Sequence, residues 1–291
     1  VSHISSSVVE HAAVLERLKA LERQGFAVTY LQPVHAGHID PAQVTGALRP
    51  DTALVSMMLV NNELGTVLPV KETALALKGA GSSALFHCDA VQGFLKVPFT
   101  PAELGVDLLS VSGHKVHAPK GVGALYVRRG LKLPPLIRGG GQEKGLRSGT
   151  EATAQIAAFA AAARLGAASF REDTARMSAL KAEVIRRLAL EIPEASVLVP
   201  DGAPHILPIS LPGYKSEVVV RFLSDRGVYL SSGSACNRGK PSHVFAALKL
   251  PKPVLDGALR VSFSYDTAWE DVDALIEGLK AAKEALFTSL S

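Results

Sequence analysis

A lysine at the end of an apolar run is the first candidate for chemistry in this sequence. Residues 106–109 are mostly apolar, and Ser110-Val111-Ser112-Gly113-His114 then leads to Lys115. A lysine at the end of a strand can bind an aldehyde covalently once its ammonium group has lost a proton. Taken alone, Lys115 is more typical of a solvent-exposed loop, because lysine is mostly found at protein surfaces.

Three further polar clusters follow apolar runs in the first half of the chain. His11 stands at the start of a predicted helix, Asn61-Asn62-Glu63-Leu64-Gly65 ends one apolar run, and Asp89 and Gln92 follow another. The first two have ordinary structural explanations, a helix cap for His11 and a turn for residues 61–65. Burial of Asp89 without a cationic partner would be costly, so we expect it to be exposed or paired.

Together these residues supply the parts of a site for pyridoxal phosphate. The lysine would bind the aldehyde, Asp89 would pair with a protonated ring nitrogen, an imidazole would stack on the ring, and amides would contact the ring oxygen. The turn at Ser112-Gly113-His114 offers a hydroxyl, an imidazole and backbone amides for a phosphate beside the lysine. The carboxylate matters because a protonated ring nitrogen makes the ring an electron sink.

The elements that must position these residues alternate between strands and helices. Such alternation favours an α/β fold, with helices on a mostly parallel sheet whose ligands bind at the carboxyl ends of the strands. The polar clusters follow predicted strands, so we expect them at one edge of this sheet. Strands are predicted at residues 1–9, 26–31, 53–60, 84–88, 106–110 and 122–127.

The second half of the chain has a different pattern. We predict an Ala-rich helix at 151–165, a separate amphipathic helix at 173–190, several shorter strands, and a last helix that starts with the capping box Thr267-Ala268-Trp269-Glu270. This pattern favours a smaller α+β domain, with the boundary near Ser169 to Arg171. The prediction is therefore a large cofactor-binding domain, residues 1–170, and a small C-terminal domain, residues 171–291.

Composition limits the function further. The 291 residues are 47% hydrophobic and 20% charged, with a formal net charge of +4, which is typical of a globular chain. Lys and Arg are dispersed and not interleaved with aromatic residues, so we expect no nucleic-acid partner. No apolar run reaches the roughly 20 residues of a membrane span. The two cysteines, Cys88 and Cys236, are far apart, which favours a reducing, cytoplasmic location without disulfides. We predict no metal site.

Segments spread over nearly the whole chain resemble one enzyme group. The sequence is similar to pyridoxal-phosphate enzymes of fold type I, in the class V aminotransferase family, and most of all to cysteine desulfurases of the nitrogen-fixation and iron-sulfur-cluster type. The segments occur in family order, which makes the set far more specific than any one of them. They are Glu10-His11 and residues 60–65, 89–92, 112–115, 119–126, 139–143, 147–151, 232–236 and 259–262.

The resemblance implies a role around the cofactor ring for five residues. Lys115 would carry the cofactor covalently, His11 would stack on its ring, and Asp89 would pair with the ring nitrogen. Asn62 and Gln92 would contact the ring oxygen or the substrate.

The resemblance also implies a phosphate site and a substrate site. Ser112 and His114 would hold the phosphate, and Thr150 would reach the phosphate of the partner subunit in a homodimer. Arg260 would bind the substrate carboxylate, for which a bidentate guanidinium is better suited than lysine.

Cys236 separates this interpretation from an ordinary aminotransferase. It lies in a segment with glycines on both sides and with Arg238 and Lys240 close by, which favour mobility and the thiolate. Alone, it could be a free surface thiol. The resemblance implies that Cys236 takes sulfur from L-cysteine as a persulfide, leaving L-alanine, and passes it to a sulfur-acceptor or iron-sulfur scaffold protein. We expect Cys88 to be a buried core residue.

The start of the chain and two alternatives complete these expectations. The first residues indicate a strand without a leading tail, so we expect that an upstream segment, which in the family provides much of the phosphate cradle, is missing. One alternative is a selenocysteine lyase or a cysteine-sulfinate lyase. The other is a catalytically silent homologue that acts as a binding module for sulfur-acceptor or scaffold proteins.

Overall fold

The first half of the chain folds around a six-stranded sheet. In this computed structural model, which describes residues 2–232 and 242–288, the strands of that sheet are β1 (His3–Ser7), β2 (Ala27–Leu31), β3 (Thr52–Met58), β4 (Leu85–Asp89), β5 (Leu108–Ser112) and β6 (Gly123–Val127). Their order is β2-β1-β3-β4-β5-β6. Neighbours are parallel except that β6 is antiparallel to β5, which confirms the predicted mostly parallel sheet.

Helices connect the successive parallel strands of this sheet. They are α1 (Ala12–Arg23), α2 (Pro41–Gly46), α3 (Val70–Gly79) and α4 (Pro101–Leu104). All five residues of β1 are buried, as expected for a strand near the middle of a sheet that is covered on both faces. Cys88 is buried in the core of this sheet, among Met57, Phe86 and Leu109, which confirms its predicted structural role.

Two histidines join strands inside the sheet. The ring of His3 lies between the hydroxyls of Thr52 and Thr29, with both nitrogen–oxygen distances at 2.9 Å. The ring of His87 lies between two serine hydroxyls, one on β3 and one on β5, also at 2.9 Å each. Burial lowers the pKa of both histidines. These neutral rings bridge neighbouring strands by hydrogen bonds.

A four-stranded antiparallel sheet forms most of the second half. Its strands, in the order β7-β8-β10-β9, are β7 (Ser196–Val197), β8 (Ile206–Ser210), β10 (Ala258–Ser262) and β9 (Ser231–Ser232). The helices of this half are α5 (Thr153–Glu191), α6 (Ser216–Ser224), α7 (His243–Ala247), α8 (Lys252–Asp256) and α9 (Trp269–Ala285). The predicted smaller α+β arrangement is therefore observed.

The prediction of two helices between residues 151 and 190 is wrong. Helix α5 runs without interruption for 39 residues, roughly 58 Å at 1.5 Å per residue. The buried residues of α5 all lie in its second half, from Met177 to Leu188, but no glycine or proline breaks the helix after Gly166. The second half of α5 packs Leu180 and Val184 into the core of the small sheet. The boundary near Ser169 lies within this helix, and the division at residue 170 stays a prediction.

The start of α9 differs from the prediction by one residue. The hydroxyl of Thr267 accepts a hydrogen bond from the Ser264 amide at 2.9 Å and is therefore already engaged. The carboxylate of Asp271, rather than that of Glu270, accepts from the Ala268 amide at 2.8 Å.

A third apolar cluster joins the two sheets. Val9 and Leu64, which follow β1 and β3, pack with Phe245 of α7 and Ala258 of β10. This contact places the loops at the carboxyl ends of the parallel strands against the small sheet. None of the helices within the described residues is long and apolar enough to cross a membrane.

Candidate active site

The carboxyl ends of the parallel strands bring the predicted residues to one edge. In the strand register, Met58 of β3 lies beside Asp89 of β4, and Asp89 lies beside Ser110 of β5. His11 follows β1, Asn62 follows β3, and Lys115 follows β5. The topology therefore places these side chains at the same edge of the sheet, the edge formed by the carboxyl ends of the parallel strands, as the sequence predicted.

Lys115 lies in a one-turn helix, Gly113–Val116, directly after β5. The turn requires a small residue at Gly113, because a Cβ there would lie 2.9 Å from Cγ1 of Val122. Lys115 is an exposed residue, but partial burial of its ammonium group and the positive charge of Arg260 lower its pKa. The unprotonated amine, which is the nucleophilic form, is thereby favoured.

Asp89 is partly buried at the end of β4. One of its oxygens accepts a hydrogen bond from the Val91 amide at 3.0 Å. No ion pair within residues 2–232 and 242–288 involves Asp89. Its carboxylate is thus able to pair with a cation brought by a ligand.

A second carboxyl group, Glu10, is completely buried close to Asp89. Oε1 of Glu10 accepts hydrogen bonds from the Ser7 hydroxyl at 3.0 Å and from the Met58 amide at 2.9 Å. Burial, opposed by these two hydrogen bonds and aided by the charge of Asp89, raises the pKa of Glu10 to about 8. Near neutral pH Glu10 is therefore mostly protonated.

His11 combines two roles. Its Nδ1 atom accepts a hydrogen bond from the Ala13 amide at 3.1 Å, so the helix-cap explanation of this residue is correct. The ring is exposed and also lines a cleft of about 900 Å³, together with Asn62 and Arg260. The cap fixes one nitrogen and leaves a ring face available in the cleft.

Arg260, on β10, connects the small sheet to this edge. Its Nη1 donates to the Asn62 carbonyl at 2.9 Å, and its Nη2 donates to the Ser231 hydroxyl at 3.0 Å. Burial lowers the pKa of Arg260, and the nearby Glu63 opposes that shift. Arginine nevertheless stays charged in proteins. Nε of Arg260 and Oδ1 of Asn62 are buried and have no hydrogen-bond partner within residues 2–232 and 242–288.

The unpartnered atoms allow a test of whether pyridoxal phosphate fits here. Leaving a buried polar atom without a partner costs about 1–3 kcal/mol, so such atoms indicate a ligand that supplies the missing hydrogen bond. The donor at Arg260 is close enough to the exposed Lys115 for its charge to act on the lysine, and Arg260 is hydrogen-bonded to Asn62, which has the free acceptor. Asp89 ends β4 at the same edge of the sheet. These groups fit an amino acid bound to an aldehyde cofactor that has a basic ring nitrogen.

Gln92 has a partner that the sequence did not indicate. Its Oε1 lies 3.2 Å from Nε2 of His205, a buried residue just before β8. Glu63, Ser242 and His243 were also missed as neighbours of this site. Burial raises the pKa of Glu63, which Ser242 hydrogen-bonds, and Nε2 of His243 donates to the Glu10 carbonyl at 3.0 Å. Only the segment Ser242-His243, which follows the predicted cysteine segment directly, could have drawn attention to these contacts.

The remaining predicted residues are not brought together by contacts. Ser112 ends β5, His114 is exposed beside Lys115, and Thr150 is exposed in the segment before α5. Within the described part of the chain, no side-chain hydrogen bond of these three residues is observed. Cys236 lies outside the described residues. Among the residues described, no group of His, Cys, Asp and Glu side chains could hold a metal ion.

Comparison with known proteins identifies the family. A family profile described as Aminotransferase class-V matches residues 2–275. Cysteine desulfurase 2 of Trichormus variabilis is 40% identical, over 98% of this chain and 72% of that protein. Cysteine desulfurase IscS of Methanosarcina thermophila is 39% identical, over 94% of this chain and 68% of that protein.

Solved structures agree with the sequence comparison. A structure named NIFS-like protein superimposes with a TM-score of 0.90 at 33% identity, over 98% of this chain and 76% of that chain. The chain belongs to the class-V aminotransferase family and, within it, to the cysteine desulfurase group.

Proposed function

We propose that this protein is a cysteine desulfurase that depends on pyridoxal phosphate and converts L-cysteine to L-alanine. Arg260 is the observation that carries the proposal. Its guanidinium is hydrogen-bonded to the Asn62 carbonyl, its charge adds to partial burial in lowering the pKa of Lys115, and its buried Nε has no partner in the part of the chain that the structure describes. A carboxylate bound there would lie beside the lysine that holds the reacting amino group. The names of the relatives support cysteine as the substrate.

Three residues of the parallel sheet would bind and orient the ring of the cofactor. Bound through its aldehyde and protonated at its ring nitrogen, pyridoxal phosphate withdraws electrons from the α-carbon of the amino acid. Asp89 would keep the proton on the ring nitrogen, because no ion pair among the described residues engages its carboxylate. His11 would cover one face of the ring, and Gln92 would donate to the ring oxygen.

Phosphate binding falls to the turn that carries Lys115. Ser112 and His114 offer a hydroxyl and an imidazole on either side of Gly113, beside the lysine. In a homodimer, Thr150 of each chain would reach the phosphate bound to the partner. The homodimer, the sulfur-acceptor or scaffold protein and the cytoplasmic location are all parts of this proposal.

Lys115 and Arg260 would act on the substrate. Arg260 binds the carboxylate of L-cysteine through its guanidinium and holds the α-carbon near Lys115. Lys115, as the free amine, would accept the proton of the α-carbon. Its lowered pKa favours the neutral amine that this step needs.

Cys236 would take the sulfur. Its thiolate attacks the sulfur of the substrate, so that an S–S bond forms and the Cβ–S bond breaks. The electron pair of the broken bond stays on Cβ, which takes up a proton. Two thiols thereby become one persulfide and one methyl group, and no external oxidant or reductant is needed.

The test compares the purified chain with three variants after addition of pyridoxal phosphate. We expect visible absorption from the bound cofactor, alanine formed from cysteine, and a persulfide on Cys236 by mass spectrometry. Lys115→Ala should abolish the covalent link, and Cys236→Ser should abolish the persulfide while the absorption remains. Lys120→Ala, an exposed lysine five residues away, is the matched control.

Three results would count against the proposal in different ways. If Cys236→Ser released alanine at the parent rate, the assignment of Cys236 would be wrong. A parent chain that binds no cofactor would favour the silent binding module. Alanine formed faster from selenocysteine or from cysteine sulfinate than from cysteine would favour the lyases.

A further inference from the structure

His205 reaches the predicted cofactor site from the small sheet. It lies directly before β8, and only 6% of its surface is exposed. Its Nε2 atom lies 3.2 Å from Oε1 of Gln92, which is in the turn after β4. Its other ring nitrogen, Nδ1, is buried and has no hydrogen-bond partner among the described residues. Within that part of the chain the ring therefore makes one hydrogen bond, to a residue in the turn after β4 of the other sheet.

The backbone around His205 is held from two sides. The amide of Phe263 donates to the His205 carbonyl at 2.9 Å, which continues the pairing of β8 with β10. Nζ of the buried Lys181 donates to the carbonyls of Gly202 at 2.9 Å and Ala203 at 3.2 Å. These backbone contacts fix the position of the imidazole ring, which therefore has little freedom to move away from Gln92.

The segment that carries His205 also touches the large domain. The Ala203 amide donates to the Gly65 carbonyl at 2.6 Å. A Cβ at Gly202 would lie 2.7 Å from the same oxygen, so only glycine allows this approach. Gly65 follows Asn62 in the turn after β3, and the contact therefore fixes His205 relative to the site.

The charges around the ring determine which form His205 adopts. Lys96, Lys181, Arg260 and Lys115 all oppose a positive charge on it, and burial opposes that charge more strongly still. These causes lower the pKa of His205 to about 3. The ring is neutral at neutral pH and has one N–H and one acceptor nitrogen.

The N–H of this neutral ring belongs on Nε2. A proton on Nδ1 would bury a donor without a partner, and orphaned buried N–H groups are rarer than unsatisfied acceptors. The four positive charges near the ring also favour an unprotonated Nδ1, because its lone pair carries partial negative charge. Nε2 therefore donates to Oε1 of Gln92, which is the amide oxygen rather than the nitrogen.

We propose that His205 is a positioning residue that fixes the side-chain amide of Gln92 with its NH₂ group directed to the ligand. The oxygen and the nitrogen of an amide have nearly the same shape, so only a hydrogen bond selects between the two orientations. With the oxygen engaged by His205, Gln92 presents a donor to the ring oxygen of the cofactor. The inference rests on the proposed function, because that oxygen belongs to the proposed cofactor.

The first experiment needs no cofactor. Long-range ¹H–¹⁵N spectra of the histidine-labelled chain report the tautomer of His205, whose signals are assigned by their loss in His205→Gln. We expect the neutral Nε2–H form, unchanged between about pH 5 and pH 8. The Nδ1–H form, or a charged ring, would overturn the inference, whether or not the chain is an enzyme.

The second experiment measures the visible absorption of the cofactor-loaded chain against pH. His205→Gln keeps a donor near the place of Nε2, whereas His205→Leu removes it with a side chain of similar size. We expect the apparent pKa of the absorption to rise by about one unit in His205→Leu, since one hydrogen bond to the anionic ring oxygen is misdirected. His205→Gln should restore most of the parent value.

A double variant separates positioning from a general loss of structure. In a Gln92→Leu background, His205→Leu should change the apparent pKa no further, because the amide that it orients is absent. Equal shifts in the Leu and Gln variants, or additive shifts in the double variant, would contradict the proposal. A parent chain that binds no cofactor would contradict the proposed function, while the tautomer would still decide whether His205 donates to Gln92.

Discussion

The two sheets differ in where they hold polar groups. The six-stranded, mostly parallel sheet and the turn after β1 bury many polar side chains, which include His3, Ser5, Ser6, Ser7, Glu10, Thr52 and Ser56. The four-stranded sheet packs against an apolar core, and the buried polar residues described in that half are fewer, namely Lys181, His205, Ser210 and Ser216. The parallel sheet thus supports chemistry at its carboxyl edge, whereas the small sheet places single residues opposite that edge.

This difference follows from topology. In a parallel sheet each strand ends at the same edge and continues into a loop, so that four loops deliver His11, Asn62, Asp89 and Lys115 to one place. An antiparallel sheet alternates its ends and does not collect loops in this way. Arg260 instead points from within β10, where its neighbours Leu259 and Val261 are buried in the core. We therefore expect the first group to act on the cofactor and Arg260 to act on the substrate.

The largest effect that we expect comes from Asp89→Asn. Asparagine can still accept from the Val91 amide, so the fold should persist, but it cannot hold a proton on a ring nitrogen by charge. Turnover of cysteine should fall about 10²–10³-fold, the usual cost of losing one electrostatic group that stabilises a transition state. Steady-state alanine formation measures this effect.

Asp51→Asn provides the control at the opposite edge of the same sheet. Asp51 precedes β3 and pairs with Arg49 at the surface, at 3.0 Å. Its loss should leave turnover within about twofold, because exposed ion pairs contribute little. Equal losses in the two variants would show that charge on the sheet in general, rather than the carboxyl edge, is what matters.

Arg260→Lys should have the next largest effect and should act on a different kinetic constant. Lysine keeps a positive charge but offers no bidentate fork to a carboxylate. We expect kcat/KM to fall about 10–100-fold, mainly through KM, as a hydrogen bond to a charged group contributes about 1.5–3 kcal/mol. The measurement is the dependence of the rate on cysteine concentration, and Arg176→Lys, an exposed arginine on α5, is the control.

A fall in kcat without a change in KM would contradict the proposed division of roles, in which the parallel sheet acts on the cofactor and the small sheet acts on the substrate. That result would place Arg260 in the cofactor group, together with Asp89. An unchanged visible absorption in Arg260→Lys would be further support for a role toward the substrate alone.

Lys181→Met tests the contact between the sheets through stability. Lys181 is buried and bonds two backbone carbonyls, which its replacement would leave without this donor. We expect the free energy of unfolding to fall by about 2 kcal/mol in urea titrations. Lys280→Met removes only surface ion pairs with Glu191 and Glu277 and should cost less than about 1 kcal/mol. Similar losses in both variants would contradict a special role for the buried lysine.

The fold could be predicted from the sequence wherever a local pattern determines it. Apolar runs and helical spacing located the strands of the parallel sheet to within a few residues. Helix α5 was predicted as two helices because its composition changes near Ser169, although composition alone does not end a helix. Strands were also predicted at 196–199 and 228–231, but β7 and β9 have only two residues each, and their bounds are set by pairing with β8 and β10.

The site residues likewise divide into those that a local pattern indicated and those that depend on contacts between distant parts of the chain. His11, Asn62, Asp89 and Lys115 follow predicted strands, so their types and positions already indicated a common edge. His205 escaped notice because its importance depends on Gln92, which is 113 positions away in the sequence. Glu10 was seen only as part of a matching segment, since its burial beside Asp89 depends on how three strands pack together.

The smallest predicted effect concerns the pH dependence of stability, through Glu10. The folded chain raises the pKa of Glu10 to about 8, above its ordinary value in an unfolded chain. Between the two values the folded state binds more protons, so the free energy of unfolding should decrease as pH rises from about 5 to 8. Glu10→Gln keeps an acceptor for Ser7 and Met58 but does not titrate, so it should reduce this slope by up to about 1 kcal/mol per pH unit.

Glu16→Gln, on the exposed face of α1, should leave the slope unchanged, because ion pairing with Lys19 lowers the pKa of Glu16 and keeps it ionised over the whole range. If Glu10→Gln and the parent had the same slope, Glu10 would be ionised beside Asp89, and the charge at the carboxyl edge of the parallel sheet would be shared between two carboxylates.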